Sequence, residues 1–166
     1  LKRNYRRQSS EDILYPDQIL QRINTEVLQS GLGKHLTIFL GLLNHKNNAL
    51  EYCVGGHLPM PVLKENGVAR MMRGRGMPVG LFKDATYETQ HIQLSDDFSI
   101  TLYSDGVLEI LEQDSLQKKE AFLVQMANDN PVSISAISDV LGLSEINDAP
   151  DDIAIMTISR TNISNG

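Results

Sequence analysis

An α+β domain, with antiparallel strands and helices packed on them, is predicted by changes of hydrophobic period along the chain. Residues 16–30 repeat apolar side chains at helical spacing. The middle of the chain then breaks into strand-length runs divided by turn signals, and residues 116–142 return to helix around Asn130-Pro131. No internal repeat and no low-complexity linker interrupts this order, so residues 1–166 read as a single domain.

The first helix runs through YPDQILQRINTEVLQSGLG. Ile19, Leu20, Ile23, Val27 and Leu28 share one face, Pro16 and Asp17 suit a first turn, and Gly31 stands just past the end. HLTIFLGLLN and ALEYCVGG are apolar runs of strand length, and HKNN between them reads as a hairpin turn. MPVLKENGVARMMR repeats the pattern with Asn66-Gly67 at its tip, the strongest hairpin signal in the chain. The glycines and proline of GRGMPVGLFKDA require irregular backbone. YETQHIQL then alternates as a half-buried strand should, Ser95-Asp96-Asp97 turn the chain, and FSITLYSD supplies another strand. Helices follow over roughly 116–129 and 132–142, the second closed by Gly142, and DDIAIMTISR is the last strand.

Composition sets outer bounds. At 166 residues, 41% hydrophobic and 22% charged, the chain can bury roughly 70% of its unfolded surface. Its formal charge of −6 argues against a nucleic-acid or anionic-membrane binder, which needs a basic surface. Cys53, the only cysteine, lies between Tyr52 and Val54 and reads as a buried, reduced thiol. No run approaches a membrane span, and LKRNYRRQSS lacks the apolar core of a secretory signal, so the expected compartment is the cytoplasm. The opening residue is Leu1, and the expectation is a piece of a longer protein.

TLYSDGVLEI and PDDIAIMTI carry the chemistry. Asp105 ends a strand, and Asp151 with Asp152 opens one. In an antiparallel sheet the end of one strand can lie beside the start of its neighbour, which would gather these carboxylates at one rim. Like charges that close call for a cation, and oxygen-only donors favour Mg²⁺ or Mn²⁺. A plain turn at Ser104-Asp105-Gly106 and another at Pro150-Asp151-Asp152 would account for the same residues.

Other features are weaker. Gly74, Gly76 and Gly80 miss the spacing of a dinucleotide loop, so no organic cofactor site is expected. Arg70, Arg73 and Arg75 suit either bidentate contacts to a phosphoprotein or a solvated strand edge. The histidines lack zinc-ligand spacing, and Lys2, Arg3, Arg6 and Arg7 read as an exposed helix end.

TLYSDGVLEI and PDDIAIMTI, with HLTIFLGLL, EYCVGGHLPMPVL and GMPVGL, resemble the blocks of the SpoIIE-like branch of the metal-dependent (PPM, or 2C-type) serine/threonine protein phosphatases, over about residues 16–160. The resemblance implies an αββα sandwich of two antiparallel sheets flanked by helices, with a two-metal Mn²⁺ or Mg²⁺ centre at one edge. It implies that Asp105 and Asp151 are metal ligands. Asp152 would orient a water, Gly106 follows the aspartate in its block, and His57 borders the rim as a water or phosphate contact or as a simple turn histidine. The implied substrate is a phosphoprotein, an anti-sigma-factor antagonist, and the implied context is the output domain of a bacterial sensor or response regulator. The helix over 17–30 would belong to a regulatory pair, with Gly76–Gly80 close to its switch. Two blocks that supply the remaining metal carboxylate and a carbonyl ligand have no counterpart in this sequence. Either they lie upstream, leaving the fold incomplete at its N-terminal side and this chain inactive by itself, or the protein is a pseudophosphatase that only captures partners. Sheet edges left open by absent strands would invite a second copy.

Overall fold

The computed structural model describes residues 15–146 and 150–161. The basic stretch containing Lys2, Arg3, Arg6 and Arg7 lies outside them. Along the chain come α1 (Pro16–Gln29), β1 (Ile38–Asn44), β2 (Ala49–Gly55), β3 (Val62–Glu65), β4 (Val68–Met71), β5 (Gln90–Gln93), β6 (Phe98–Tyr103), α2 (Gly106–Ile110), α3 (Leu116–Asp129), α4 (Ile134–Val140), a 3-10 turn (Leu143–Glu145) and β7 (Ile155–Arg160).

Two antiparallel sheets result, ordered β1-β2-β5 and β4-β3-β6-β7. The alternation of β2 shows how they stack. Leu50, Tyr52 and Val54 point toward Leu63 of β3 and Phe98 and Ile100 of β6, forming the core between the sheets. Cys53, of opposite parity and fully buried, packs with Leu20 of α1 and Val79. On the far side, Val62, Ala69 and Tyr103 meet Val107, Leu123, Met126 and Ile137 from the three later helices. The layers are therefore α, β, β, α, as the sequence implied. Burial on both faces is why β2 reads as a near-continuous apolar run, whereas β6 alternates and buries Ser99 and Thr101 on its second face.

Local chemistry sets the boundaries. Asn66 and Gly67 have φ of 49° and 82°, the paired positive values of a tight hairpin turn. Ser115 and Ser133 cap α3 and α4 by accepting from the amides of Lys118 and Ala136. Lys64 Nζ donates to the carbonyls of Ala127 and Asn130, satisfying the C-terminal end of α3. Among the described residues no helix is long and apolar enough to cross a membrane.

Some expectations change. DDIAIMTISR becomes strand only from Ile155, YETQHIQL only from Gln90, and a short helix, α2, follows Asp105 where the sequence read only as a turn. On the facing sides of the two sheets, Leu43 of β1 and Met156 and Ile158 of β7 remain 37%, 52% and 43% exposed. Those partly exposed apolar side chains lie on the edge strands of the two sheets.

Candidate metal rim

Antiparallel pairing of β6 with β7 places Tyr103 opposite Ile155, so the next residues of β6 meet the last residues before β7. Ser104 closes that junction. Its amide donates to the carbonyl of Ala154 (2.9 Å), its hydroxyl donates to the carbonyl of Asp152 (2.9 Å) and accepts from the amide of Ala154 (2.8 Å). Gly106 comes close enough that a Cβ on it would lie 2.3 Å from the Asp152 carbonyl oxygen. Only glycine fits there, for lack of room rather than for backbone freedom.

Asp105 and the Asp151-Asp152 pair therefore share one rim, as the antiparallel argument required. All three are exposed. Exposure removes the desolvation cost expected of a carboxylate at the end of an apolar run, because the run ends where the sheet ends. Asp105 occupies the N-cap position of α2, yet its carboxylate makes no capping hydrogen bond. Asp151 Oδ1 accepts from the amide of Asp152 at 2.8 Å, which fixes the turn into the last strand.

His57 approaches from the other sheet, on the turn after β2. Gly56, with φ +71°, donates its amide to the carbonyl of Gly76 (2.9 Å), and a Cβ there would strike Pro78. The histidine is half-buried, and its Nε2 is buried without a hydrogen-bond partner among the described residues. Burial lowers its pKa from the ordinary range, and the charge of Asp105 pulls the other way. That opposition places Asp105 within electrostatic reach and leaves the imidazole neutral near pH 7. Phe39, stacked on Tyr52 at 5.1 Å, lies 6.3 Å from the imidazole ring.

Oxygen donors on a rim suit a hard divalent cation in kind. In number they fall short, because no group of three histidine, cysteine, aspartate or glutamate residues that could hold a metal occurs among the described residues. A cleft of about 420 Å³ lined by Asp17, Gln18, Gln21, Arg22, Thr25 and Tyr87 lies along α1 and shares no residue with the rim. Arg70, one of the three arginines singled out in the sequence, pairs with Glu65, whereas Arg73 and Arg75 are exposed on the irregular segment after β4.

Two contributors escaped the sequence reading. Ser104 was masked by its neighbours as an ordinary turn former. Asn24 was hidden within the helix, although it sits four residues after Leu20 on the apolar face. It is 1% exposed, its Nδ2 donates to the Phe82 carbonyl (3.0 Å), and its Oδ1 accepts from the Gly80 amide (2.6 Å). A polar side chain on an apolar stripe was the available signal.

The four-layer sandwich of two antiparallel sheets between helices is the PP2C-domain fold of the PPM phosphatases. The family model described as stage II sporulation protein E (SpoIIE) matches residues 1–161, and the chain belongs to that family. Phosphoserine phosphatase RsbU of Bacillus subtilis is 28% identical over 115 residues, covering 63% of this chain and 34% of that protein. Among solved structures, the RsbU and RsbW domains of Rv1364c from Mycobacterium tuberculosis superpose with a TM-score of 0.67 at 22% identity, over 89% of this chain and 42% of that one. The SiaA-PP2C domain of Pseudomonas aeruginosa gives 0.66 at 18%, over 89% and 61%. The chain spans only 12% to 34% of the length of the curated relatives it matches.

Proposed function

We propose that the chain is the greater, C-terminal part of a metal-dependent phosphoserine/phosphothreonine protein phosphatase domain acting in bacterial signalling. The observation that carries this is the Ser104 clip, which binds the Asp105 turn to the start of the last strand through one hydrogen bond to Asp152 and two to Ala154. The likeness to a phosphoserine phosphatase, RsbU, supports a phosphoprotein substrate. The reading is completed by an anti-sigma-factor antagonist as that substrate, a sensor or receiver domain upstream and a cytoplasmic setting. The exposed Leu43, Met156 and Ile158 support further strands of the same domain on these edges. In their absence a second copy would cover the same surface.

Asp105 and Asp151 would hold Mn²⁺ or Mg²⁺ together with carboxylates from outside the described residues. When bound, a pair of such ions neutralises the phosphoryl oxygens and acidifies the attacking water. The chain's own residues supply the rest. Ser104 and Gly106 fix the separation of the two aspartate turns. Asp152, its main chain held by Ser104, leaves an exposed carboxylate free to orient water. His57 offers an unpaired Nε2, neutral through burial, for a hydrogen bond to water or phosphate without adding charge. No cysteine nucleophile is needed, and Cys53, on β2, is buried against α1.

The incomplete donor set favours a second reading, a pseudophosphatase that captures a regulator without chemistry. Substituting Asp105→Asn in the full-length protein separates the two. The amide keeps the shape and loses the charge, so Mn²⁺-dependent hydrolysis of p-nitrophenyl phosphate is expected to fall by at least about 10³-fold. Stability should stay within about 0.5 kcal/mol, since the side chain is exposed and makes no cap. Turnover unchanged at saturating Mn²⁺ removes Asp105 from the mechanism, and no turnover in the parent protein supports the capture module.

A further inference from the structure

We propose that Arg73 and Arg75 form a docking surface for acidic residues flanking the phosphoester of a protein substrate. This rests on the phosphatase reading above and adds the chemistry by which a partner is selected. Residues 73–76 alternate Arg-Gly-Arg-Gly, and the structure uses the alternation. A Cβ on Gly74 would lie 2.9 Å from Val54 Cγ2, and one on Gly76 would lie 1.9 Å from the Val54 carbonyl oxygen. The glycines thus lie against the end of β2, and Arg73 and Arg75, which alternate with them, are exposed.

The segment is anchored at both ends. The Tyr52 hydroxyl donates to the Arg73 carbonyl, and the Gly56 amide donates to the Gly76 carbonyl. Gly56 precedes His57, and Arg75 precedes Gly76. With about 3.8 Å between successive Cα atoms and about 5 Å across the Gly56–Gly76 hydrogen bond, the Arg75 Cα lies within about 13 Å of the His57 Cα, a span of about four residues of extended peptide. A phosphoester at the rim would therefore bring flanking side chains under these guanidinium groups.

Charge selects the occupant. The protein carries a formal −6, yet residues 68–83 contain Arg70, Arg73, Arg75 and Lys83 and no acidic residue. Arg70 is paired with Glu65, while neither Arg73 nor Arg75 has a carboxylate partner among the described residues. An acidic segment is attracted here and repelled by the net charge elsewhere, and guanidinium groups bind carboxylates with two parallel hydrogen bonds.

The test uses the full-length protein with Mn²⁺ and two fluorescent phosphoserine peptides. One carries glutamates two and three residues from the phosphoserine; the other carries glutamines there. Fluorescence anisotropy is expected to show preference for the acidic peptide. The double variant Arg73→Glu, Arg75→Glu should reduce that preference about tenfold or more, while Arg73→Lys, Arg75→Lys keeps most of it. Should the reversal variant fold poorly by its thermal midpoint, Arg73→Gln with Arg75→Gln serves instead. Equal affinity for both peptides, or a preference untouched by the variants, overturns the proposal. So does loss of binding to phosphatidylserine vesicles with the peptide preference intact, which would make the patch a membrane contact. Hydrolysis of p-nitrophenyl phosphate by the unaltered protein decides the phosphatase reading separately, because peptide docking can persist without turnover.

Discussion

Substituting Gly106→Ala should disable the rim while leaving the fold largely in place. The added methyl would start 2.3 Å from the Asp152 carbonyl oxygen and 2.9 Å from its carbonyl carbon. Relief to an ordinary contact of about 3.3 Å requires the Asp151-Asp152 segment to retreat by about 1 Å. The Ser104 hydroxyl bond to Asp152, 2.9 Å in the native chain, would then stretch to about 3.9 Å and cease to be one. Losing it costs about 1 kcal/mol, and residual overpacking brings the total to about 1–3 kcal/mol, partly offset by the better helix propensity of alanine. Turnover should suffer more, because a misplacement of about 1 Å between catalytic groups costs about 10²-fold. Urea unfolding reads the first effect, and Mn²⁺-dependent p-nitrophenyl phosphate hydrolysis by the full-length protein reads the second. A folded variant with turnover within about threefold of the parent would refute the reasoning, since the spacing of the two aspartate turns would then not matter.

Two further substitutions probe the layers behind the rim. Asn24→Ala removes both hydrogen bonds to the Gly80–Phe82 segment and should destabilise by about 2–3 kcal/mol, and Asn24→Leu should recover less than half of this because the Gly80 amide and Phe82 carbonyl stay unmatched; denaturation midpoints that recover fully with leucine would show that only packing counts. Burial raises Tyr103 to about 12, so its contribution to stability is fully present below pH 10, the unfolded value, and is lost as pH rises to about 12, by up to about 2–3 kcal/mol. Tyr103→Phe should flatten that alkaline decline and cost little at pH 7, since the buried hydroxyl has no partner among the described residues; a decline as steep as the parent's, beyond what Tyr52 and Tyr87 contribute, contradicts it.

What the sequence disclosed, and what it withheld, divides along the range of the interactions. Helix α1 and the hairpin at Asn66-Gly67 were legible because apolar period, Pro16, Gly31 and paired positive φ act within a few residues. The gathering of Asp105 with Asp151 was legible as a consequence of antiparallel pairing, although the partner of β6 lies beyond three intervening helices and nothing local names it. Helix α2 was not legible, since GVLEIL is too short to show a helical period and only packing with Tyr103 and Leu123 assigns Val107 and Leu111 to the opposite layer. The surroundings of His57 likewise include Phe39 of β1, eighteen residues earlier in the chain. Glycine was the residue most easily misread. Gly74, Gly76 and Gly106 look like turn formers, a statement about their own dihedral freedom. Gly76 and Gly106 have no positive φ, and what they provide is closeness, to Val54 in one case and to Asp152 in the other. Backbone freedom is a property of one residue and can be read from its name, whereas the need for an absent side chain belongs to a pair, and the second member of that pair appears only when the chain has folded.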